Sequence, residues 1–173
     1  MPTTPPSKAQ LLSQYHSLQH TGFDVKLRTQ ATAKNLLVAL FYAIASRETN
    51  CVNELGDFQR GEFHGVGIVQ IDIQHQIARD ARDSGSWKTN PDPLIAFGAG
   101  LLADNISTVR GKFPNFSDPQ VLKIAASAYN CGIGNALSGT ANGDSDKLTT
   151  GHDYGRDVMT RMAIFAELIE EGA

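Results

Sequence analysis

The sequence predicts an α+β domain, mostly helical, with a small β element beside a helical bundle. Two observations carry this. Most of the chain falls into segments whose apolar residues recur every three or four positions, the period of a helix buried on one face. A single stretch in the middle, Phe63 to Ile73, is instead rich in β-branched residues and carries Gly65 and Gly67, which suits a strand or short hairpin with close backbone packing. The length of 173 residues fits one domain, and a hydrophobic fraction of 41% is enough for one core.

Residues 1–7 read as a flexible lead-in, with prolines at 2, 5 and 6, and residues 8–173 as the folded unit. Ser7 caps a helix running to about His20, with Leu11, Tyr15 and Leu18 on one face, and Thr21-Gly22 ends it. The next helix is expected from about Thr32 to Glu48. Leu37, Phe41 and Ile44 step along one face, and one further step reaches Glu48. A carboxylate thus continues an apolar stripe at the last turn of a helix. Residues 49–62 read as a loop.

In the β stretch, a period of two puts Ile68, Gln70 and Asp72 on one face and Val69, Ile71 and Ile73 on the other. A loop over about Asp83 to Pro93 holds the one tryptophan, Trp87. Leu94 to Val109 is a helix. Asp118-Pro119 starts another, with Asp118 as the cap, running to Tyr129 or Asn130, where Gly132 and Gly134 break it. Residues 137–151 are a polar loop. The last helix, Asp153 to Glu171, aligns Val158, Met162, Phe165 and Ile169.

Charge and composition exclude several functions. Fifteen basic residues against eighteen acidic ones give a net charge of −3, so no nucleic-acid partner is expected. No stretch reaches the length of an apolar membrane span, so no membrane partner is expected. The polar N-terminus lacks the pattern of a secretory signal. That leaves a processed mature form, a chain cytoplasmic at first, or export by another route. Cys51 and Cys131 either pair or stay free; spacing does not decide. No phosphate loop, dinucleotide fingerprint, metalloprotease helix or nucleophile elbow is present. His16 and His20 lie four apart on a helix, where a solvated face is the plainer reading than a metal site. No metal and no cofactor are expected.

The carboxylates are the informative groups. Burial at the end of an apolar face raises the pKa of Glu48, and the negative end of the helix dipole pushes the same way. Such a group keeps its proton near neutrality and can give it to a leaving oxygen. The plainer reading is a frayed terminal residue or a partner for Arg47. Asp72 either lines a groove beside Gln70 or merely caps the segment that follows. Asp57 and Glu62 lie in the loop between Glu48 and the strand.

Four segments, taken together and in order, resemble one family. AIASRETN (43–50) is similar to the helix end that carries the catalytic glutamate of goose-type lysozymes and related lytic transglycosylases, glycoside hydrolase family 23. GVGIVQID (65–72) resembles the family's Gly-Leu-Met-Gln-Val-Asp strand. ASAYNCGIGNA (126–136) resembles its Ala-Tyr-Asn-Ala-Gly motif, and TTGHDYGRDVMTR (149–161) the segment before its last helix. The resemblance implies a lysozyme-like fold with a saccharide groove between the helices and the β element.

Residue by residue, it implies Glu48 as general acid, Asp72 as the strand-end aspartate and Asp57 as the loop aspartate, with Gln70, Tyr129, Asn130 and Tyr154 at sugar-contacting positions. His75 joins the expected substrate-binding set. The stretch from Asp57 to Gly67 is longer than in the family, so Glu62 stands as the alternative to Asp57 and is also counted among the substrate-binding residues. Ile68-Val69 replaces Leu-Met, and Cys131 replaces an alanine.

The implied activity is cleavage of β-1,4 linkages in peptidoglycan, by an inverting route with water held by an aspartate. The alternatives are lytic transglycosylation to 1,6-anhydro products, a chitinase, and a saccharide-binding protein without activity. The implied partners are a peptidoglycan or chitin-like polysaccharide and a proteinaceous lysozyme inhibitor or immunity protein. The chain is expected to act as a monomer on the cell wall, whether secreted, periplasmic or delivered.

Overall fold

A computed structural model describes residues 5–173; most of the lead-in read over residues 1–7 lies outside them. The first helix, α1 (Lys8–Thr21), starts at Ser7, whose hydroxyl accepts from the Gln10 backbone while Gln10 reaches back to the Ser7 amide, a reciprocal cap. Gly22, at φ 75°, ends it. A second helix, α2 (Phe23–Ala33), follows at once.

The helix expected over Thr32 to Glu48 is therefore two elements. Asn35 sits at φ 54°, a left-handed conformation that stops α2, and α3 begins afresh at Val38 and runs to Thr49. Leu37, read as part of the buried stripe, is the residue that caps α3 and is 56% exposed. Phe41 and Ile44 are fully buried, as is every residue from Leu40 to Ser46. A helix apolar on all sides belongs at the centre of a bundle, and α3 occupies that place.

The β region is two small hairpins rather than one strand. β1 (Phe58–Gln59) pairs antiparallel with β2 (Glu62–Phe63), Phe58 opposite Phe63. Arg60 and Gly61 at the turn both have positive φ, 52° and 90°, the backbone of a tight two-residue hairpin turn. β3 (Gly65–Val66) pairs antiparallel with β4 (Ile71–Asp72), Gly65 opposite Asp72. The turn between them contains Gly67 at φ 83° and Gln70 at φ 48°. This turn breaks the expected alternation: Ile68 and Val69 are both buried, while Gln70 and Asp72 remain on the open side.

The rest is helical. α4 (Gln76–Ser84) and the short α5 (Ser86–Thr89), which lies inside the loop expected at 83–93, precede α6 (Asp92–Lys112). α7 (Asp118–Cys131) is capped by Ser117, not Asp118: the Ser117 amide donates to the Gln120 side chain at 2.9 Å. Gly132 ends α7, but Gly134 does not break structure. It lies in α8 (Ile133–Ala141), so the polar loop begins at Asn142 rather than 137. A short 3-10 turn over Thr150–His152 leads into α9 (Tyr154–Glu171).

α3 packs chiefly against α9, and α7 packs against α6, α8 and α9. Phe165 of α9 meets Tyr42 of α3 edge to face, centroids 5.8 Å apart. Each large side chain buried there stabilises by about 1.5–3 kcal/mol. Polar groups tie the same two helices. Arg161 of α9 bonds Asp157 at 2.9 Å and reaches the Ser46 carbonyl and hydroxyl of α3 at 3.2 and 2.8 Å. This fixes the height of α9 beside the C-terminal turn of α3, where Glu48 sits. Both cysteines are free.

Candidate active site

A groove of about 1030 Å³ lies between the helices and the hairpins. Glu48 is in its wall, presented by the last turn of α3. Two features anchor that turn. Asn50 ends the helix at φ 53°, and the buried Thr49 hydroxyl bridges the Ala45 carbonyl of its own helix and the Ile68 carbonyl of the β turn, at 3.1 and 3.0 Å. The helix end and the β turn therefore hold one another.

Behind Glu48 stands Tyr154, whose hydroxyl donates to the Glu48 carboxylate. Arg47 stacks over the Tyr154 ring, 5.4 Å from its centroid, and pairs with Asp153 and Asp157, each at 3.2 Å. Burial raises the Glu48 pKa to about 7; the Tyr154 hydrogen bond and the Arg47 charge pull it down but do not cancel the burial. The acid thus carries its proton over a large share of molecules at neutral pH.

Most residues singled out in the sequence meet at this groove. Gln70, Asp72, His75, Asp57, Tyr129 and Asn130 all line it with Glu48. Gln70 donates to the Glu54 and Gly67 carbonyls at 3.1 and 2.8 Å. Its side chain occupies the space left by Gly56 and Gly65, where an added Cβ would collide with its amide oxygen. Tyr129 donates to the Val69 carbonyl at 2.9 Å. Asn130 accepts from the Thr150 amide at 2.8 Å, joining the end of α7 to the turn before α9. Asp72 accepts from the Gln74 amide at 2.7 Å, a turn ahead of α4 rather than a cap on it, and lines the groove as well. His75 caps no more than the start of α4, its ring 4.8 Å from that of Phe97.

Two of the singled-out residues lie elsewhere. Glu62 is drawn outward to Arg82 of α4, at 2.8 Å, and does not line the groove. Tyr154 is 2% exposed and does not line the groove; its hydroxyl donates to Glu48. Residues that the sequence left unmarked also line the groove: Glu54, Gln59, His64, Gln74 and Asn105. Glu54 lies between two candidate catalytic residues in the loop after α3, which was the available signal for it. Among the described residues no cluster of His, Cys, Asp and Glu is arranged to hold a metal ion, and no helix is long and apolar enough to cross a membrane.

A buried helix that ends in a carboxylic acid of raised pKa, facing two small hairpins over an open groove, defines a lysozyme-like domain. The family model described as Lysozyme g matches residues 10–168, and the chain belongs to the lysozyme g family. It is similar to proteins named lysozyme g from Epinephelus coioides (35% identical over 130 residues, 71% of this chain and 63% of that one), Gallus gallus (30% over 145 residues, 84% and 64%) and Casuarius casuarius (30% over 129 residues, 75% and 64%). The chain spans just under two thirds of the length of these relatives.

Proposed function

We propose that the chain is a glycosidase that cuts β-1,4 linkages in peptidoglycan, with Glu48 as proton donor. The observation that carries this reading is the placement of Glu48: a carboxylic acid in the wall of an open groove, held by burial to a pKa of about 7. Glu48 gives its proton to the glycosidic oxygen as the bond breaks. A water held by Asp57 or Asp72 attacks the anomeric carbon from the opposite side, which inverts its configuration. That route needs the two carboxyl groups roughly 6.5–9.5 Å apart. Both aspartates line the groove with Glu48, which supports hydrolysis over transglycosylation, where no second carboxylate is required. Gln70, Tyr129 and Asn130 bind the sugar by hydrogen bonds and ring contact. Tyr154 orients the acid from behind.

The test is digestion of purified peptidoglycan and of chitin oligomers by the wild type and by Glu48→Gln, with products read by mass and anomeric form. Loss of cleavage in Glu48→Gln and an α-configured reducing end are expected. Full activity in the variant removes Glu48 from the reaction, and 1,6-anhydro ends replace hydrolysis by transglycosylation.

A further inference from the structure

The buried face of α6 steps through Gly98, Leu102, Asn105 and Val109, the spacing of one helix face. Asn105 is the one amide in this run. It is 5% exposed, on a helix that packs against α7. Its partners within the chain do not account for it. The side-chain nitrogen donates to the Ala125 carbonyl of α7 at 3.5 Å, longer than an ordinary N–H···O bond. Only the nitrogen can face that carbonyl, so the oxygen points elsewhere. The oxygen accepts from no group among the described residues. It is not sealed in, as the unpartnered His64 Nε2 and Asp157 Oδ1 are, and Asn105 lines the groove. An acceptor on a nearly buried side chain thus opens onto the groove unpaired. Such a group is unfavourable in the free protein and calls for a donor on a bound molecule.

We propose that Asn105 is a specificity residue, whose amide oxygen accepts the N–H of a 2-acetamido group on the bound sugar. This rests on the glycosidase reading and adds one contact to it. The free atom is an acceptor, so its partner is a donor, either a sugar hydroxyl or an acetamido N–H. The surroundings choose between them. Leu101 lines the groove one helical turn before Asn105, and Ala128 and Ile133 line it from α7 and α8. In a trans amide the N–H and the methyl group lie on the same side. An acetamido group that gives its N–H to Asn105 therefore brings its methyl to the same wall, where these apolar side chains take it out of water. A hydroxyl has no methyl to bury there. A site built to bond a substrate N–H rejects the analogue that lacks it, because its own polar group is then left unpaired.

The test takes Glu48→Gln as background, so that binding is read without turnover, and measures affinity by calorimetry. The ligands are chitotetraose and cellotetraose, both neutral and β-1,4-linked, which differ in carrying an acetamido group or a hydroxyl on the second carbon. Adding Asn105→Ala is expected to weaken chitotetraose about tenfold, about 1.4 kcal/mol, and to leave cellotetraose nearly unchanged. Asn105→Leu completes the apolar stripe. It should lose the same affinity while melting at or above its parent, since an apolar side chain replaces a poorly bonded amide. Chitotetraose affinity retained in both variants, or an equal loss for the two ligands, overturns the proposal; a lower melting temperature with affinity retained makes Asn105 a structural residue only. Should the variants misfold, the Asn105 side-chain amide is followed by NMR in the background protein. Its resonance should shift with chitotetraose and hold with cellotetraose, and a resonance unmoved by chitotetraose overturns the contact. Cleavage by the wild type is scored separately: affinity lost in the Asn105 variants, with no cleavage of peptidoglycan or chitin by the wild type, overturns the glycosidase reading and leaves the contact standing.

Discussion

Tyr154 donates its hydroxyl to the carboxylate of Glu48, although 106 residues separate them in sequence. The bond favours the ionised acid, against the burial that favours the protonated one. Replacing Tyr154 by Phe removes the larger of the two opposing influences, leaving the Arg47 charge and the burial. The Glu48 pKa then rises above about 7. A general acid works while it holds its proton, so its ionisation sets the alkaline limb of the rate profile. That limb is expected to move to higher pH in Tyr154→Phe, with a lower maximal rate because the carboxyl group is less well held. Measurement of kcat against pH checks this; an alkaline limb moved downward contradicts the role given to Tyr154.

The raised pKa of Glu48 also has a consequence for stability. Unfolded, the group titrates near 4.5; folded, near 7. Between these values the folded state holds the proton and the unfolded state has released it, so stability falls as pH rises through that window. Below about 4.5 the penalty is absent, and above about 7 it is complete, at most about 3 kcal/mol for a shift of this size. Glu48→Gln carries no charge and escapes it. The variant is therefore expected to be more stable than the wild type at pH 8 and nearly equal to it at pH 4.5. Urea denaturation at the two pH values decides this; an equal gain at both places the effect in packing rather than in the proton.

How much of this was legible in sequence depended on the distance over which each feature is determined. The end of α3 could be read because Phe41, Ile44 and Glu48 share a helix face. The break before it could not: α2 buries only Leu27 and Ala31, too few to show a period, and it stops because Asn35 turns left-handed, which its side chain permits but does not require. The motif at 65–72 placed Gln70 and Asp72 correctly at the groove, for a reason other than strand alternation, since a turn at Gly67 to Gln70 sets their direction. Tyr154 was marked, but its task depends on how α9 packs on α3 and was out of reach of local pattern. The groove itself likewise exists only once the loop after α3, the hairpins and the end of α7 are brought together.

Gly98 of α6 lies where a Cβ would stand 2.8 Å from the Tyr129 hydroxyl and 2.9 Å from Val69 Cγ2. The Tyr129 bond to the Val69 carbonyl spans this spot. Gly98→Ala is expected to lower stability by about 1–3 kcal/mol through overpacking, despite alanine's better helix propensity. The same displacement should weaken glycan binding, because Tyr129 lines the groove. Gly100→Ala, two residues on, has only the end of the Lys34 side chain within 4 Å and serves as the control. It should hold or gain about 1 kcal/mol. Thermal melts of the two variants, with oligosaccharide titration of each, separate crowding at Tyr129 from a general effect of altering α6.

Asp146 is fully buried and organises the approach to α9. One carboxylate oxygen accepts from the Ser127 hydroxyl at 2.9 Å and the Gly155 amide at 2.7 Å; the other accepts from the Arg156 amide at 3.1 Å. It thereby satisfies first-turn amides of α9, where negative charge is favoured, and anchors that end of the helix to α7. Tyr154, the residue just before Gly155, is held by the same arrangement. Asp146→Ala leaves buried donors without acceptors and is expected to reduce stability by about 3–5 kcal/mol. Asp146→Asn keeps the shape and one acceptor and should be milder. If Asp146 acts on the site only through Tyr154, Asp146→Asn should also move the alkaline limb of the rate profile upward, as Tyr154→Phe does, and the double variant should move it no further than Tyr154→Phe alone. Additive shifts in the double variant show that Asp146 reaches Glu48 by another path.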